Sequence, residues 1–105
     1  MEIAFDSRQM RSLFESQKAL NRKFGVIVAE SLMTLFSELR AASSIDDLVH
    51  YDISKKMHSA IEITLEAGVS LVLEANHAKP PKDSEASINW SDVYMIKVTD
   101  IHHVG

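Results

Sequence analysis

An α+β fold is predicted by a change of hydrophobic period partway along the chain. Up to Ala42 the apolar residues recur at helical spacing, and from Ile61 onwards they alternate with polar ones. The 105 residues suffice for one domain spanning the whole chain, with a single two-layer core. The expected order is β-α-α-β-β-β: an N-terminal strand and a helical hairpin packed on one face of a curved, mostly antiparallel sheet.

Each element has its own local reason. Ile3 and Phe5 share one face of a short strand. Asp6 or Ser7 can cap a first helix whose buried stripe is Met10, Leu13 and Phe14. Gln17 to Asn21 is polar and suits a turn between helices. From about Arg22 to Ala42, the residues Val28, Leu32, Leu35, Phe36 and Leu39 form an amphipathic stripe, with Glu30, Ser37, Glu38 and Arg40 opposite. Ser44 and Asp47 form a capping box that opens one further helical turn.

Ile61, Ile63 and Leu65 then alternate with Glu62, Thr64 and Glu66 as a half-buried strand. Ala67-Gly68 turns the chain into a partner strand from Val69 to Glu74. The prolines of Lys79-Pro80-Pro81-Lys82 forbid a central strand, so Asn76 to about Asp92 is a long loop, pinned at its far end by Ile88 and Trp90. Val93 to His102 is apolar enough for a central strand buried on both faces. Parity places Lys56, His58, Glu62, Thr64, Ser70 and Glu74 on the sheet face away from the helices, and Asp100 with His102 on a common face of the last strand.

Composition narrows the functional classes. The chain has no cysteine, which excludes disulfides and thiolate metal sites. Its five histidines fit no zinc spacing, so neither metal nor cofactor is expected. Met1-Glu2-Ile3-Ala4-Phe5-Asp6 lacks a signal-peptide core and no run is long enough to span a bilayer, so a cytoplasmic location away from membranes is expected. The net charge of −4 is unlike the basic surplus by which nucleic-acid-binding domains neutralise phosphate.

Several segments, taken in order, resemble the HigB-like plasmid maintenance killer proteins of the RelE/ParE toxin superfamily. They are Ile3-x-Phe5, Arg22-Lys23-Phe24-Gly25, Ser37 to Ala42 followed by Ile45-x-Asp47-Leu48, Leu71 to Glu74, Ser87 to Val93, and the ending Asp100-Ile101-His102. The resemblance implies a RelE-like sandwich and the toxin component of a type II toxin–antitoxin pair. It implies a ribosome-dependent mRNA interferase that cleaves RNA without metal. A helix-turn-helix antitoxin from a neighbouring gene would be its partner, with ribosome and mRNA as targets.

Carried over residue by residue, the resemblance assigns catalysis to His102, His58 and Asp100, and RNA binding to Lys55 and Lys56. His58 stands where the family has Lys, and Met57 and Ser70 stand where it has Arg. Tyr51 replaces a His and Ile101 replaces the terminal Tyr. An alternative reading keeps the toxin fold without catalysis, as a module that binds an antitoxin. Read without the resemblance, Lys55-Lys56 is a solvated turn, His58 a surface residue and Trp90 a core anchor.

Overall fold

The computed structural model describes residues 1–56 and 60–103. It is an α+β fold with helices on one face of a five-stranded mixed sheet. Strand β1 (Glu2–Phe5) is followed by helices α1 (Arg8–Phe14), α2 (Gln17–Phe24) and α3 (Val26–Ala41). One turn of 3-10 helix, Ile45–Asp47, leads to β2 (Asp52–Lys55), β3 (Ala60–Thr64) and β4 (Val69–Ala75). A second such turn, Trp90–Asp92, precedes β5 (Met95–His103).

The expected helical hairpin is a three-helix layer, and the expected turn at Gln17 to Asn21 is helical. Ser7 caps α1 by accepting from the Met10 amide, and Ser16 caps α2 by accepting from the Ala19 amide, each at 3.1 Å. The single helix expected from Arg22 to Ala42 is divided at Gly25. That residue has a φ of 85°, a left-handed conformation that glycine adopts without strain. Its N–H closes α2 on the Asn21 carbonyl, and its own carbonyl accepts the first bond of α3 from Ala29. The capping at Ser44 and Asp47 holds in a shifted form: Ser44 accepts from the Asp46 amide and Asp47 from the Ser43 amide.

The sheet order is β1-β5-β4-β3-β2, with β1 parallel to β5 and every other pair antiparallel. The edge strand β2 is an addition to the expected set. Only four residues long, it has just one inward apolar residue, Ile53, and so gives little periodic signal.

The core lies between the two layers. Ile61 and Ile63 of β3, Val69, Leu71 and Leu73 of β4, and Ile96 and Val98 of β5 meet Leu20, Leu32, Leu35 and Leu39. The rings of Phe5, Phe14 and Phe36 stack at centroid distances of 4.8 to 5.6 Å and tie β1, α1 and α3 together. Ile88 and Trp90 pack on this core, as their apolar character predicts.

β5 is central but is not buried on both faces. Ile96 and Val98 are buried, whereas Met95, Lys97 and Thr99 are half-exposed. A bulge follows. Val72 pairs with Asp100 and Leu73 with Val98, so Thr99 has no opposite number on β4, and its hydroxyl donates to the Val72 carbonyl at 3.3 Å.

Candidate functional site on the open sheet face

The bulge at Thr99 decides where the chemistry lies. Strict alternation from Ile96 and Val98 would turn Asp100 and His102 towards the helices. The extra residue reverses the parity. Ile101 then packs against the core and Asp100 and His102 emerge on the open face. His103 falls on the other side, with its ring 5.9 Å from that of Phe24 at the end of α2.

On the open face four side chains form a connected chain. His102 Nδ1 lies 3.0 Å from Asp100 Oδ2, and His102 Nε2 lies 3.1 Å from Glu62 Oε2. The second oxygen of Glu62 receives Lys56 Nζ at 3.2 Å. Each ring nitrogen of His102 therefore faces a carboxylate, and only the doubly protonated imidazolium can donate to both. Glu62 is the enclosed member, its side chain 15% exposed against 44% for His102 and 60% for Asp100. Charge-assisted bonds of this kind are stronger where water is partly excluded.

The floor beneath this chain is small and polar. Ser70, the β4 partner of His102, is fully buried, and its hydroxyl lies 3.1 Å from that of Thr64 on β3. A small residue here leaves the space above β4 for Glu62 and His102 to meet.

Of the residues expected from sequence, His102, Asp100 and Lys56 come together. Lys55 lies beside them but not among them: it is exposed at the sheet edge, lining an open groove of about 720 Å³ together with Lys56 and Lys82. His58 lies outside the described residues, as do Met57 and Ser59. The resemblance gives Glu62 no role, yet it contacts both Lys56 and His102; its parity with Lys56 and Thr64 is the available signal.

Tyr51 has no place in the network. It packs against the core on the helix side, near Glu38 of α3. Burial, followed by the nearby Glu38 carboxylate, raises its phenol above the ordinary value.

The far wall of the groove is the loop from Asn76 to Asn89, which is ordered by its own bonds. Lys82 and Ile88 form an isolated bridge, and Asp83 Oδ1 accepts from the Glu85 and Ser87 amides at 2.8 and 3.1 Å. At its base His77 Nε2 accepts from the Tyr94 and Met95 amides at 3.2 and 3.3 Å, with the Tyr94 ring edge-on.

Among the described residues, no group of three or more His, Cys, Asp or Glu side chains is arranged to hold a metal ion. No described helix is long and apolar enough to cross a membrane. No protein-family model, no curated protein and no solved structure matches this chain.

Proposed function

We propose that the chain is a toxin with a RelE-like sandwich, and that it cleaves translated mRNA without metal through Glu62 and His102. The observation carrying this reading is the 3.1 Å contact between the Glu62 carboxylate and the His102 imidazole on an open sheet face, with Lys56 alongside. A carboxylate and an imidazolium side by side supply the base and the acid that RNA transesterification needs.

Glu62 takes the proton of a ribose 2′-hydroxyl, and the 2′-oxygen attacks the adjacent phosphorus. Lys56 meets the negative charge that develops on the phosphoryl oxygens. His102 gives its Nε2 proton to the departing 5′-oxygen, leaving a 2′,3′-cyclic phosphate and a 5′-hydroxyl. Asp100 holds the ring through Nδ1 and fixes its orientation. Substrate enters by parting Glu62 from His102, an exchange of one charge-assisted contact for two. A neighbouring-gene antitoxin restrains the activity, and the ribosome presents the message.

A second reading, a non-catalytic module that binds the antitoxin, is favoured by the charge balance of the site. Lys56 and His102 are already matched by Glu62 and Asp100, and the chain carries a net charge of −4. Expression in a bacterial host separates the two readings. The toxin arrests growth and cuts translated messages, and both effects vanish in His102→Ala and Glu62→Gln. Intact growth and message, with a stable complex formed with the neighbouring gene product, would establish the binding module instead.

A further inference from the structure

Three large apolar side chains stand exposed around one cleft that none of Lys56, Glu62, Asp100 and His102 lines: Val26 (56%), Ile27 (77%) and Val49 (75%). The cleft, about 580 Å³, lies at the end of the two-layer core, where the first turns of α3 face the β3–β4 turn. Ile27 and Glu30 form one wall, Tyr51 and Asp52 the second, and Leu65 and Glu66 the floor. Val26 and Val49 flank it as chain neighbours of Ile27 and His50.

Its electrostatics are one-sided. Glu30, Asp52 and Glu66 are exposed, and none is held in an ion pair among the described residues. Among the described residues, His50 is the only basic side chain on the walls, which carry no Lys or Arg. The Tyr51 ring lines the cleft beside Asp52. Folding gains nothing from three uncompensated like charges beside exposed valine and isoleucine.

We propose that this cleft docks a cationic amphipathic segment of a partner protein. Its apolar side chains rest on Ile27 and the Tyr51 ring, and its Lys or Arg side chains face Glu30, Asp52 and Glu66. The apolar contact holds the complex, while the carboxylates steer the segment in and select its charge. The surface is distinct from the reacting groups: Lys56, Glu62, Asp100 and His102 do not line it, and Thr64, which does, reaches them only through the Ser70 hydroxyl.

Fluorescence anisotropy with a short synthetic Leu/Lys amphipathic peptide tests the proposal. Ile27→Ser and the pair Glu30→Lys/Glu66→Lys should each weaken binding about ten-fold, whereas Glu2→Lys/Glu85→Lys, equal in added charge, should change it less than about two-fold. Circular dichroism checks that each variant keeps its fold. The proposal is overturned if the peptide does not bind, if both charge-reversal pairs weaken it equally, or if a Ser/Lys peptide of equal charge binds as well. Self-association that Ile27→Ser abolishes, seen by sedimentation, would also overturn it by making a second copy the occupant. RNA cleavage measured on Ile27→Ser and Glu30→Lys/Glu66→Lys should be unchanged, so failure of the docking surface leaves the catalytic reading standing, and the reverse.

Discussion

His102 Nε2 lies 3.1 Å from Glu62 Oε2 although β4 runs between their strands. The contact passes over Ser70, whose small side chain is turned sideways to Thr64. If the pair acts as base and acid in one step, Glu62→Gln and His102→Ala should each slow RNA cleavage by about 10²-fold or more. The double variant should be little worse than either, since residues working as a unit lose their effect together. Single-turnover cleavage of a short RNA measures this; independent, multiplicative losses would separate the two roles.

Much of this arrangement was legible in the sequence, and the illegible part has one cause. Ile61, Ile63, Leu71 and Leu73 set the parity of β3 and β4, which places Glu62, Thr64 and Ser70 on the open face without a structure. Nothing local marks Thr99 as a bulge, so the face of Asp100 and His102 could not be fixed from alternation. The Gln17–Asn21 part of helix α2 has the look of a turn because that stretch offers only Leu20 as a fully buried residue. Its stability comes from packing on α3 and from Ser16 rather than from a continuous apolar stripe.

The bulge makes a direct prediction. Deleting Thr99 removes the unpaired residue and leaves Val98, Asp100, Ile101 and His102 in simple alternation, so Asp100 and His102 keep the open face. The deletion should therefore lower unfolding free energy by no more than about 1 kcal/mol, the scale of the Thr99 hydroxyl bond to Val72 that it removes. Urea denaturation of the deletion variant against Thr99→Ser, which keeps the extra residue and the hydroxyl, isolates the effect of register from that of the side chain.

Tyr51 predicts an alkaline limit to stability. Its folded-state phenol is raised above the ordinary value of about 10 by burial, then by Glu38. The associated stability is fully present below the unfolded value and is lost as pH rises through the folded one. Tyr51→Phe removes the titrating phenol and flattens the loss above about pH 10. Thermal melts across that range, wild type beside variant, provide the comparison.

The stacked rings carry a large share of the packing between β1 and the helices. Phe36 is 3% exposed and contacts both Phe5 and Phe14. Phe36→Ala should cost about 3–5 kcal/mol, while Phe36→Leu, closer in volume, should cost clearly less. Equal losses for the two would mean that the site collapses around the smaller residue.

His77 holds the base of the long loop by accepting two amides at one nitrogen. His77→Ala should speed hydrogen exchange at Tyr94 and Met95 about ten-fold or more, with little change in global melting, because the affected bonds are exposed and local. Unchanged exchange at those two amides would show that the aromatic contact with Tyr94 was sufficient.

The parallel pairing of β1 with β5 has a consequence for how the molecule is made. Glu2 to Phe5 cannot find its partners until Met95 to Val98 exists, so the earliest strand synthesised waits for the latest. Through most of translation, Ile3 and Phe5 have only helical surfaces for cover, and the β4–β3–β2 hairpins assemble first from neighbours in sequence. Closure of the sheet is therefore a late, long-range event, and it brings β5, which carries Asp100 and His102, into place beside β4. A chain interrupted before β5 has its hairpins but not its histidine, so the assembled site exists only in a chain whose synthesis has passed this strand.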